Sequence, residues 1–371
     1  MIIGVLKEQG TETRVSLLPE HIVLYTKMQV QVVVETSAGN TSFASDNDYK
    51  NAGATTDSRN NILQQAQIIL SINELSAEDV IACTGKIILG FYQPLFNAAK
   101  IKSLAEKDFT VFSIDMIPRT TRAQSMDVLS SQANIAGYKA VLLAANTFPK
   151  YFPMFMTAAG SIPPAKMLIL GAGVAGLQAI ATAKRLGAVV EVFDTRPQVK
   201  EEVMSLGAKF VEVEGAADAS KAGGYAVEQS EDFMQRQKAR IAESVAKSDI
   251  IISTAAIQGK KAPILITDEM LASMKKGSVI IDLAASTGGN TSASKNEETV
   301  NVNGVSIIGA SFLSSTMPSD ASKLYGKNIT NFLQLIIKEG AVNLNFEDDL
   351  VKGTCVAHGG VIVNERVSGL L

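Results

Sequence analysis

The length of 371 residues exceeds the roughly 250 residues at which single hydrophobic cores stop growing, so we expect two domains. Hydrophobic residues make up 46% of the chain and charged residues 19%, a balance typical of a soluble globular protein. The net charge of -3 gives no indication of affinity for nucleic acids or for membrane surfaces in general.

The N-terminal residues MIIGVLKEQG carry an early Lys and Glu and no long apolar run with a small-residue cleavage site. We therefore expect no signal peptide and a cytoplasmic location. The two cysteines, Cys83 and Cys355, lack CxxC spacing, so we expect neither a metal cage nor a disulfide framework.

Apolar runs alternate with polar stretches that are able to form helices. In the N-terminal third of the chain the runs are residues 2–6, 30–34, 68–72, 87–91 and 111–114. Further along they are residues 167–170, 189–193, 210–213, 250–253, 279–283 and 305–308. Continuous apolar strands of this kind suit a parallel sheet covered by helices on both faces. The predicted fold is therefore α/β, with two sheets.

Two helical segments separate these series. Residues 133–148, ANIAGYKAVLLAANTF, predict a long helix that bridges the domains, and residues 322–338 predict a second helix at which the chain crosses back. The tail, 342–363, alternates like a hairpin around Gly359-Gly360 and is expected to rejoin the first domain. The predicted domains are 1–132 plus 325–371, and 133–324.

Residues 118–132, PRTTRAQSMDVLSSQ, are called the polar segment below. Many hydrogen-bonding side chains stand together here between two regular elements. The pattern alone fits a plain surface loop as well as it fits the wall of a binding site.

The strongest local motif is LILGAGVAGLQA, in which Gly171, Gly173 and Gly176 follow an apolar strand and open an apolar helix. The first glycine permits a tight turn, the second lets the backbone approach a pyrophosphate, and the third allows close packing of helix on strand. The helix N-terminus offers unpaired N–H groups and partial positive charge. The motif predicts a dinucleotide site, the alternative being a turn that serves only the sheet.

Asp194 ends the next apolar strand, at the spacing where an acidic residue accepts hydrogen bonds from the adenosine ribose hydroxyls. This carboxylate favours NAD over NADP. Arg196, two residues on, is the opposing signal, because an arginine nearby is one way to bind a 2′-phosphate. We give Asp194 more weight because it lies at the end of the strand.

The long span between 213 and 232 lacks apolar periodicity and contains Gly223-Gly224-Tyr225. Loops of this length inside a domain are usually functional lids or disordered. Tyr225 is a candidate to close over the nucleotide, and a surface aromatic anchor is the alternative.

Proton chemistry has few candidates in this sequence. An enzyme that oxidises an alcohol or amine with a nicotinamide must also move a proton, usually with His, Lys or Tyr. His21 lies in an amphipathic helical segment and His358 beside the glycine pair of the tail, so both are predicted to be structural or surface residues. Hydride exchange between two nicotinamides needs no such base and is favoured, with a Lys or Tyr base left open.

These segments together resemble the NAD(H)-binding component of proton-translocating NAD(P) transhydrogenase, the soluble portion of its alpha subunit. The matching stretches are ETRVSLLPE (12–20), PRTTRAQSMDVLSSQANIAGYKA (118–140), TAAGSIPPAKMLILGAGVAGLQAIATAKRLGA (157–188), FDTRPQVKEEV (193–203), AGGYA (222–226), KKGSVIIDLAASTGGN (275–290) and LYGKNITNFL (324–333). The match runs from end to end and is far more specific than a glycine fingerprint.

The resemblance implies two Rossmann-like, doubly wound parallel-sheet domains with NAD(H) in an interdomain cleft. It implies a homodimer that docks an NADP(H)-binding beta component, and membrane subunits on other chains that hold it peripherally at the inner membrane. The implied activity is that of a Re/Si-specific, proton-translocating NAD(P)+ transhydrogenase, with direct hydride transfer between NAD(H) here and NADP(H) on the partner.

Carried over residue by residue, the resemblance places the polar segment around the nicotinamide and its ribose, with Gln124 positioning the dihydronicotinamide. The residues it implies for catalysis and nicotinamide binding are Arg119, Gln124, Asp127, Ser130 and Tyr225. Those it implies for the rest of the NAD site are Gly171, Gly173, Val174, Gly176, Asp194, Thr195, Arg196, Gly224 and Ala256.

The sequence departs from the family at two places. Ser71 replaces the family's lysine in the strand that reads IILSINEL. The usual ALIPGKPAP run appears as AAIQGKKAP, where Ala256 gives the adenosine less contact than the family's leucine. The sister family, the alanine dehydrogenases, uses a strand lysine and a histidine in the segment that reads GFYQPL here, and this chain has neither. An alanine dehydrogenase and a non-catalytic NAD-binding regulator are the alternative functions.

Overall fold

The N-terminal third of the chain alternates strands and helices. The computed structural model describes residues 1–213 and 230–371. The first strands are β1 (Ile2–Val5), β2 (Gln31–Glu35), β3 (Thr55–Asp57), β4 (Ile68–Leu70), β5 (Ile87–Gly90) and β6 (Thr110–Ser113). The first helices are α1 (Pro19–Lys27), α2 (Asp46–Asn51), α3 (Arg59–Gln65), α4 (Ala77–Ala82) and α5 (Ala98–Ala105). Helices α2, α3 and α4 each begin after a serine whose hydroxyl accepts a backbone N–H of the first turn.

A long helix, α6 (Val128–Thr147), leads into the middle of the chain. The strands there are β7 (Phe155–Thr157), β8 (Gly160–Ile162), β9 (Lys166–Leu170), β10 (Val189–Phe193), β11 (Lys209–Phe210), β12 (Ile250–Ser253), β13 (Val279–Asp282), β14 (Thr299–Val302) and β15 (Val305–Gly309). The helices are α7 (Val174–Arg185), α8 (Lys200–Ser205), α9 (Glu231–Lys247) and α10 (Asp268–Ser273). Across the described ranges, no helix combines the length and the apolar character that crossing a bilayer requires.

The C-terminal region begins with helix α11 (Pro318–Ile336). It continues through β16 (Ile337–Lys338), β17 (Ala341–Val342), α12 (Asp349–Thr354), β18 (Cys355–His358), β19 (Val361–Ile362) and α13 (Glu365–Ser368). The predicted hairpin over the whole tail is wrong for residues 349–354, which are helical. Asp348 caps α12 by accepting the N–H groups of Leu350 and Val351, whose side chains are fully buried. Only β18 and β19 form the hairpin, around Gly359 and Gly360.

Each of the two larger sheets is doubly wound. The strand order is β19-β18-β6-β5-β4-β1-β2-β3 in one and β11-β10-β9-β12-β13-β15-β14 in the other. Strands β1 to β6, and β9 to β13 with β15, pair in parallel, and the antiparallel pairs lie at the sheet edges. In both sheets the parallel strands follow the Rossmann order 3-2-1-4-5-6, which confirms the predicted fold class.

Each sheet buries side chains on both faces, as period-two alternation along buried strands requires. Ile68 and Leu70 of β4 lie in one apolar cluster and Ile69 lies in another. Along β9, Met167 and Ile169 lie in one cluster, whereas Leu168 and Leu170 lie in the other. Helices therefore cover both faces of each sheet.

The chain divides into two compact units, unit 1 (Met1–Gln132 and Ser315–Leu371) and unit 2 (Ala133–Ser314). The chain returns to unit 1 at Ser315, ten residues before the predicted boundary at residue 325. The reason is that α11 begins at Pro318 and packs Ile329, Phe332 and Leu333 into the apolar cluster of unit 1. The predicted position, residue 325, lies inside this helix.

Candidate functional site

The glycine turn of unit 2 lies at the topological switch point of its sheet, between β9 and β12. Gly171 follows β9 with a φ of +103°, which L side chains rarely adopt. A Cβ there would also lie 2.5 Å from Oγ1 of Thr254, which follows β12. Only glycine fits this position, and the chain can turn directly from the strand into α7.

Gly173 and Gly176 differ sharply in the space around them. A Cβ at Gly176 would lie 1.9 Å from the carbonyl oxygen of Gly171, so the helix can start against the strand end only with glycine there. At Gly173, the N-cap of α7, no described residue other than its chain neighbours lies within 4 Å of a Cβ, and glycine has no side chain to cap the helix. Val174, the first helical residue, has an exposed side chain. The N-terminus of α7 therefore has room for an anion.

Asp194 is fixed next to this turn by a full set of donors. Its Oδ2 accepts the backbone N–H of Ala172 at 2.7 Å and Nη2 of Arg196 at 2.8 Å. Its Oδ1 accepts the backbone N–H of Arg196 at 2.8 Å and its Nε at 2.9 Å. A carboxylate offers about four acceptor positions, so these four bonds use the whole accepting capacity of Asp194. Thr195 stands between Asp194 and Arg196 in the sequence. A ribose hydroxyl can bond to this carboxylate only by replacing the Arg196 side chain.

A buried polar network at the ends of β12 and β13 was missed by the sequence reasoning. Asn290 donates through Nδ2 to the carbonyl oxygens of Ala255 and Pro263, both at 2.8 Å, and its backbone N–H donates to Asp282 at 2.6 Å. Ser253 donates to Asn290 as well. This network holds the 255–263 loop, in which Ala256 is exposed. A polar residue ending each apolar strand was the available signal.

The structure brings Gly171, Gly173, Val174 and Gly176 into one turn, with Asp194 bonded to it. The predicted residues Gly224 and Tyr225 lie outside the described residues.

In unit 1 the polar segment forms a 3₁₀ helix, Thr121–Met126, that leads into α6. Ala123 and Met126 are buried, at 2% and 7% exposure, and anchor it in the apolar cluster of unit 1. Arg119 and Gln124 are exposed. The segment thus has a buried apolar side and an exposed polar side.

Asp127 and Ser130 bond to each other across the first turn of α6. Asp127 Oδ1 accepts the backbone N–H of Ser130 at 2.9 Å, and Oδ2 accepts its hydroxyl at 2.6 Å. This is the geometry of an N-cap, in which an aspartate satisfies donors that the helix leaves unpaired. Both residues therefore have a structural role at the start of α6.

A second polar cluster lies where β1 and β4 end, at the switch point of the unit 1 sheet. Glu8 accepts the backbone N–H groups of Ile72 at 2.5 Å and Asn73 at 3.1 Å, and Nδ2 of Asn73 at 3.1 Å. Burial raises the pKa of Glu8 to about 7, against the lowering effect of these donors. Arg14 pairs with Glu12 at 2.6 Å and donates to Gln132 at 2.8 Å.

Two family models match the chain. The model of the N-terminal domain of alanine dehydrogenase/PNT covers residues 4–136, and that of the C-terminal domain covers residues 140–365. The chain belongs to the alanine dehydrogenase/PNT family.

Within this family, the chain is 44% identical to a protein of Rickettsia prowazekii that is named as the first portion of NAD(P) transhydrogenase subunit alpha, over 98% of this chain and 96% of that protein. The crystal structure of transhydrogenase from Sinorhizobium meliloti superposes with a TM-score of 0.89 at 42% identity, over 98% of this chain and 100% of that one. An L-alanine dehydrogenase structure has a TM-score of 0.84 at 22% identity over 100% and 99%, which shows a shared fold.

In this family member both histidines have structural partners. His21 accepts the backbone N–H of Leu18 at Nδ1, at 2.9 Å, and donates from Nε2 to the carbonyl of Lys323 at 3.1 Å. His358 lies 2.9 Å from the hydroxyl of Thr110. At the position of the family's lysine, the Ser71 hydroxyl lies 3.0 Å from the hydroxyl of the buried Tyr92.

Two glycine substitutions separate binding from folding. Gly173→Ala meets no described residue and keeps a φ of -77°, so we expect unchanged stability and a loss of NADH affinity of roughly tenfold, since a methyl group blocks close backbone approach. Gly176→Ala forces a carbonyl contact and should cost about 1–3 kcal/mol of unfolding free energy or more. Urea unfolding and NADH titration measure both. Equal stabilities for the two variants would contradict the packing role of Gly176.

Stability should fall as pH rises through the titration range of Glu8. The folded-state pKa of about 7 exceeds the reference value of 4.5, so between these values the unfolded chain binds fewer protons than the folded one. Glu8→Gln should therefore gain stability relative to the wild type as pH rises from about 5 to 8. Urea unfolding across this range measures the difference, with Glu106→Gln, an exposed glutamate of the same unit, as control. Parallel curves for Glu8→Gln and wild type would refute it.

Proposed function

We propose that the chain is the NAD(H)-binding component of an NAD(P) transhydrogenase, and that hydride passes directly between NAD(H) bound here and NADP(H) on a partner component. One observation carries the proposal. In the unit 2 sheet an open glycine turn, with no side-chain cap from Gly173, lies at the switch point of a Rossmann strand order. The chain that carries this turn is 44% identical, over 98% of its length, to a portion of a transhydrogenase alpha subunit.

The residues of the turn fit a dinucleotide. The backbone at Gly171, Gly173 and Val174 would hold the pyrophosphate at the N-terminus of α7, where N–H groups and the helix dipole favour negative charge. Gly173 admits a ligand close to the backbone because no described residue occupies its Cβ position.

Asp194 would hold the adenosine ribose hydroxyls, with Thr195 and Arg196 beside it. The Arg196 side chain would leave the carboxylate when the ribose binds, because the structure has every acceptor position of Asp194 in use. We infer a preference for NAD, since a 2′-phosphate would meet the charge of Asp194.

The chemistry belongs to the two nicotinamides: a C4–H bond breaks on the donor ring, and its electron pair and hydrogen form the new C4–H bond on the acceptor. No proton has to be moved by the protein. The polar segment would then act by position, with Gln124 orienting the ring and Arg119, Asp127 and Ser130 around the ring and its ribose. In such a step, holding the two reacting C4 atoms in the right geometry accounts for a large part of the decrease in activation free energy.

Two observations disfavour alanine oxidation. The lysine and histidine that the sister family uses are absent, and Ser71, which stands at the lysine position, is bonded to a buried tyrosine hydroxyl. His21 and His358 are each bound to structural partners within unit 1. Ser71, His21 and His358 therefore give no support for a base that would serve amine oxidation.

We further propose that the protein is a homodimer that docks an NADP(H)-binding beta component, and that separate membrane subunits couple the reaction to proton translocation at the cytoplasmic side of the inner membrane. The name of the Rickettsia prowazekii relative, a portion of an alpha subunit, supports an assembly of several chains. The two-stranded hairpin β7-β8 supports self-association. Its residues are all exposed, the stretch from 151 to 164 has no charged residue, and Met156 is 77% exposed.

The first test follows hydride exchange. The protein mixed with an NADP-binding component should catalyse NADPH-dependent reduction of an NAD analogue, and Gln124→Asn should slow transfer about fivefold or more while NADH affinity changes little, because a shorter side chain loses position and keeps its chemistry. Gln64→Asn, the same change on an exposed residue of α3, is the control.

An equal loss of transfer and NADH binding in Gln124→Asn would remove its positioning role. NADH formation from alanine by the isolated protein would replace the proposal with an alanine dehydrogenase. Tight NADH binding without exchange with any NADP(H) component would favour a regulator.

The second test concerns the dimer. Sedimentation should show a dimer for the wild type and a shift towards monomer for Met156→Glu, because a charge in a buried interface is unfavourable. Met204→Glu, on the exposed side of α8, should leave the dimer intact. A monomeric wild type at micromolar concentration would contradict self-association.

A further inference from the structure

Helix α11 holds the polar segment through two asparagine side chains. Asn328 Nδ2 and Asn331 Nδ2 each donate to the backbone carbonyl oxygen of Ser125, both at 2.9 Å. The other end of the Asn328 amide, Oδ1, accepts the hydroxyl of Ser131 at 2.7 Å. Asn328 is 7% exposed, so these bonds form out of reach of most solvent.

Asn328 therefore ties together the two ends of a short stretch. Ser125 directly follows Gln124, and Ser131 directly follows Ser130. One amide uses its donor on the first end and its acceptor on the second, which no residue that only donates or only accepts could do. The bonded carbonyl belongs to the peptide unit that joins Ser125 to Met126, one unit beyond Gln124, so the bond limits how far the backbone that carries Gln124 can shift.

The support of this amide is rigid. Helix α11 buries Ile329, Phe332 and Leu333 in the core of unit 1, and the Phe332 ring lies 5.4 Å from that of Phe112. Side chains carried on packed helices hold a site more accurately than side chains on loops. The buried Ala123 and Met126 locate the polar segment on this surface, whereas the amides set its orientation.

We propose that Asn328 is a positioning residue for hydride transfer, which fixes Gln124 and Ser130 by bonding to Ser125 and Ser131. The proposal rests on the function proposed above. Asn328 itself touches no reacting atom, and Asn331 reinforces only the bond to Ser125.

The expected effect is on rate. Displacement of a positioned group by about 1 Å costs on the order of 100-fold, so Asn328→Ala should slow single-turnover hydride transfer about 10- to 100-fold. NADH affinity should change less than about threefold, because the loss concerns orientation in the transition state more than binding. Asn328→Asp keeps the shape but faces the Ser125 carbonyl with an oxygen, and should slow transfer at least as much.

The experiment measures single-turnover transfer, NADH affinity and thermal unfolding for Asn328→Ala, Asn328→Asp, Asn331→Ala and Ser131→Ala. Ser131→Ala removes one bond without touching α11 and should give a smaller loss of rate in a folded protein even where an Asn328 variant unfolds. Gln334→Ala, on the same helix, is the control and should leave the rate unchanged.

A double-mutant cycle separates positioning from general destabilisation. If Asn328 acts through Gln124, then Asn328→Ala combined with Gln124→Asn should be scarcely slower than the slower single variant, since coupled residues are not additive. Multiplying losses, or a normal rate in Asn328→Ala and Ser131→Ala, would overturn the inference. A wild-type protein that transfers no hydride would instead overturn the proposed function.

Discussion

The contact between Gly176 and the carbonyl of Gly171 is the constraint on which the glycine turn of unit 2 depends. With 1.9 Å between that oxygen and a would-be Cβ, α7 begins directly against the end of β9, and its N-terminus lies at the switch point of the sheet. A second such approach acts on the same turn of helix, since a Cβ at Gly137 of α6 would lie 2.1 Å from the carbonyl oxygen of Ala175. Backbone packs on backbone on two sides, so the first turn of α7 is rigid and its exposed end is left for a ligand.

The elements of the fold that the sequence could predict are those with a local signal. Apolar runs and the glycine motif are local, so most parallel strands and the turn were placed to within a few residues. Strands β3 and β14 escaped because they lie at sheet edges, where TTD and TVNV are partly exposed and carry no apolar run. The helix of residues 349–354 depends on a cap by Asp348 that alternation in the tail concealed.

The candidate site divides in the same way. Spacing along the chain was enough to place Gly171, Gly173 and Gly176 in one turn with Asp194 next to it, because strand, turn and acid follow one another. The saturation of Asp194 by Arg196 depends on side-chain conformation and was not visible in the spacing. The bond from Asn328 to Ser125 joins residues 203 apart, so only the tertiary fold brings them together.

The polarity of the polar segment has at least two causes that the sequence could not separate. Asp127 and Ser130 cap α6, and Arg122 donates to Asp348 at 2.8 Å. These bonds hold the backbone and would be needed in a loop of any function. Gln124, exposed between buried Ala123 and the twice-bonded Ser125, lies where such a framework has its effect. For a reaction that moves a hydride and no proton, the useful property of that side chain is its direction, and direction is what the surrounding hydrogen bonds determine.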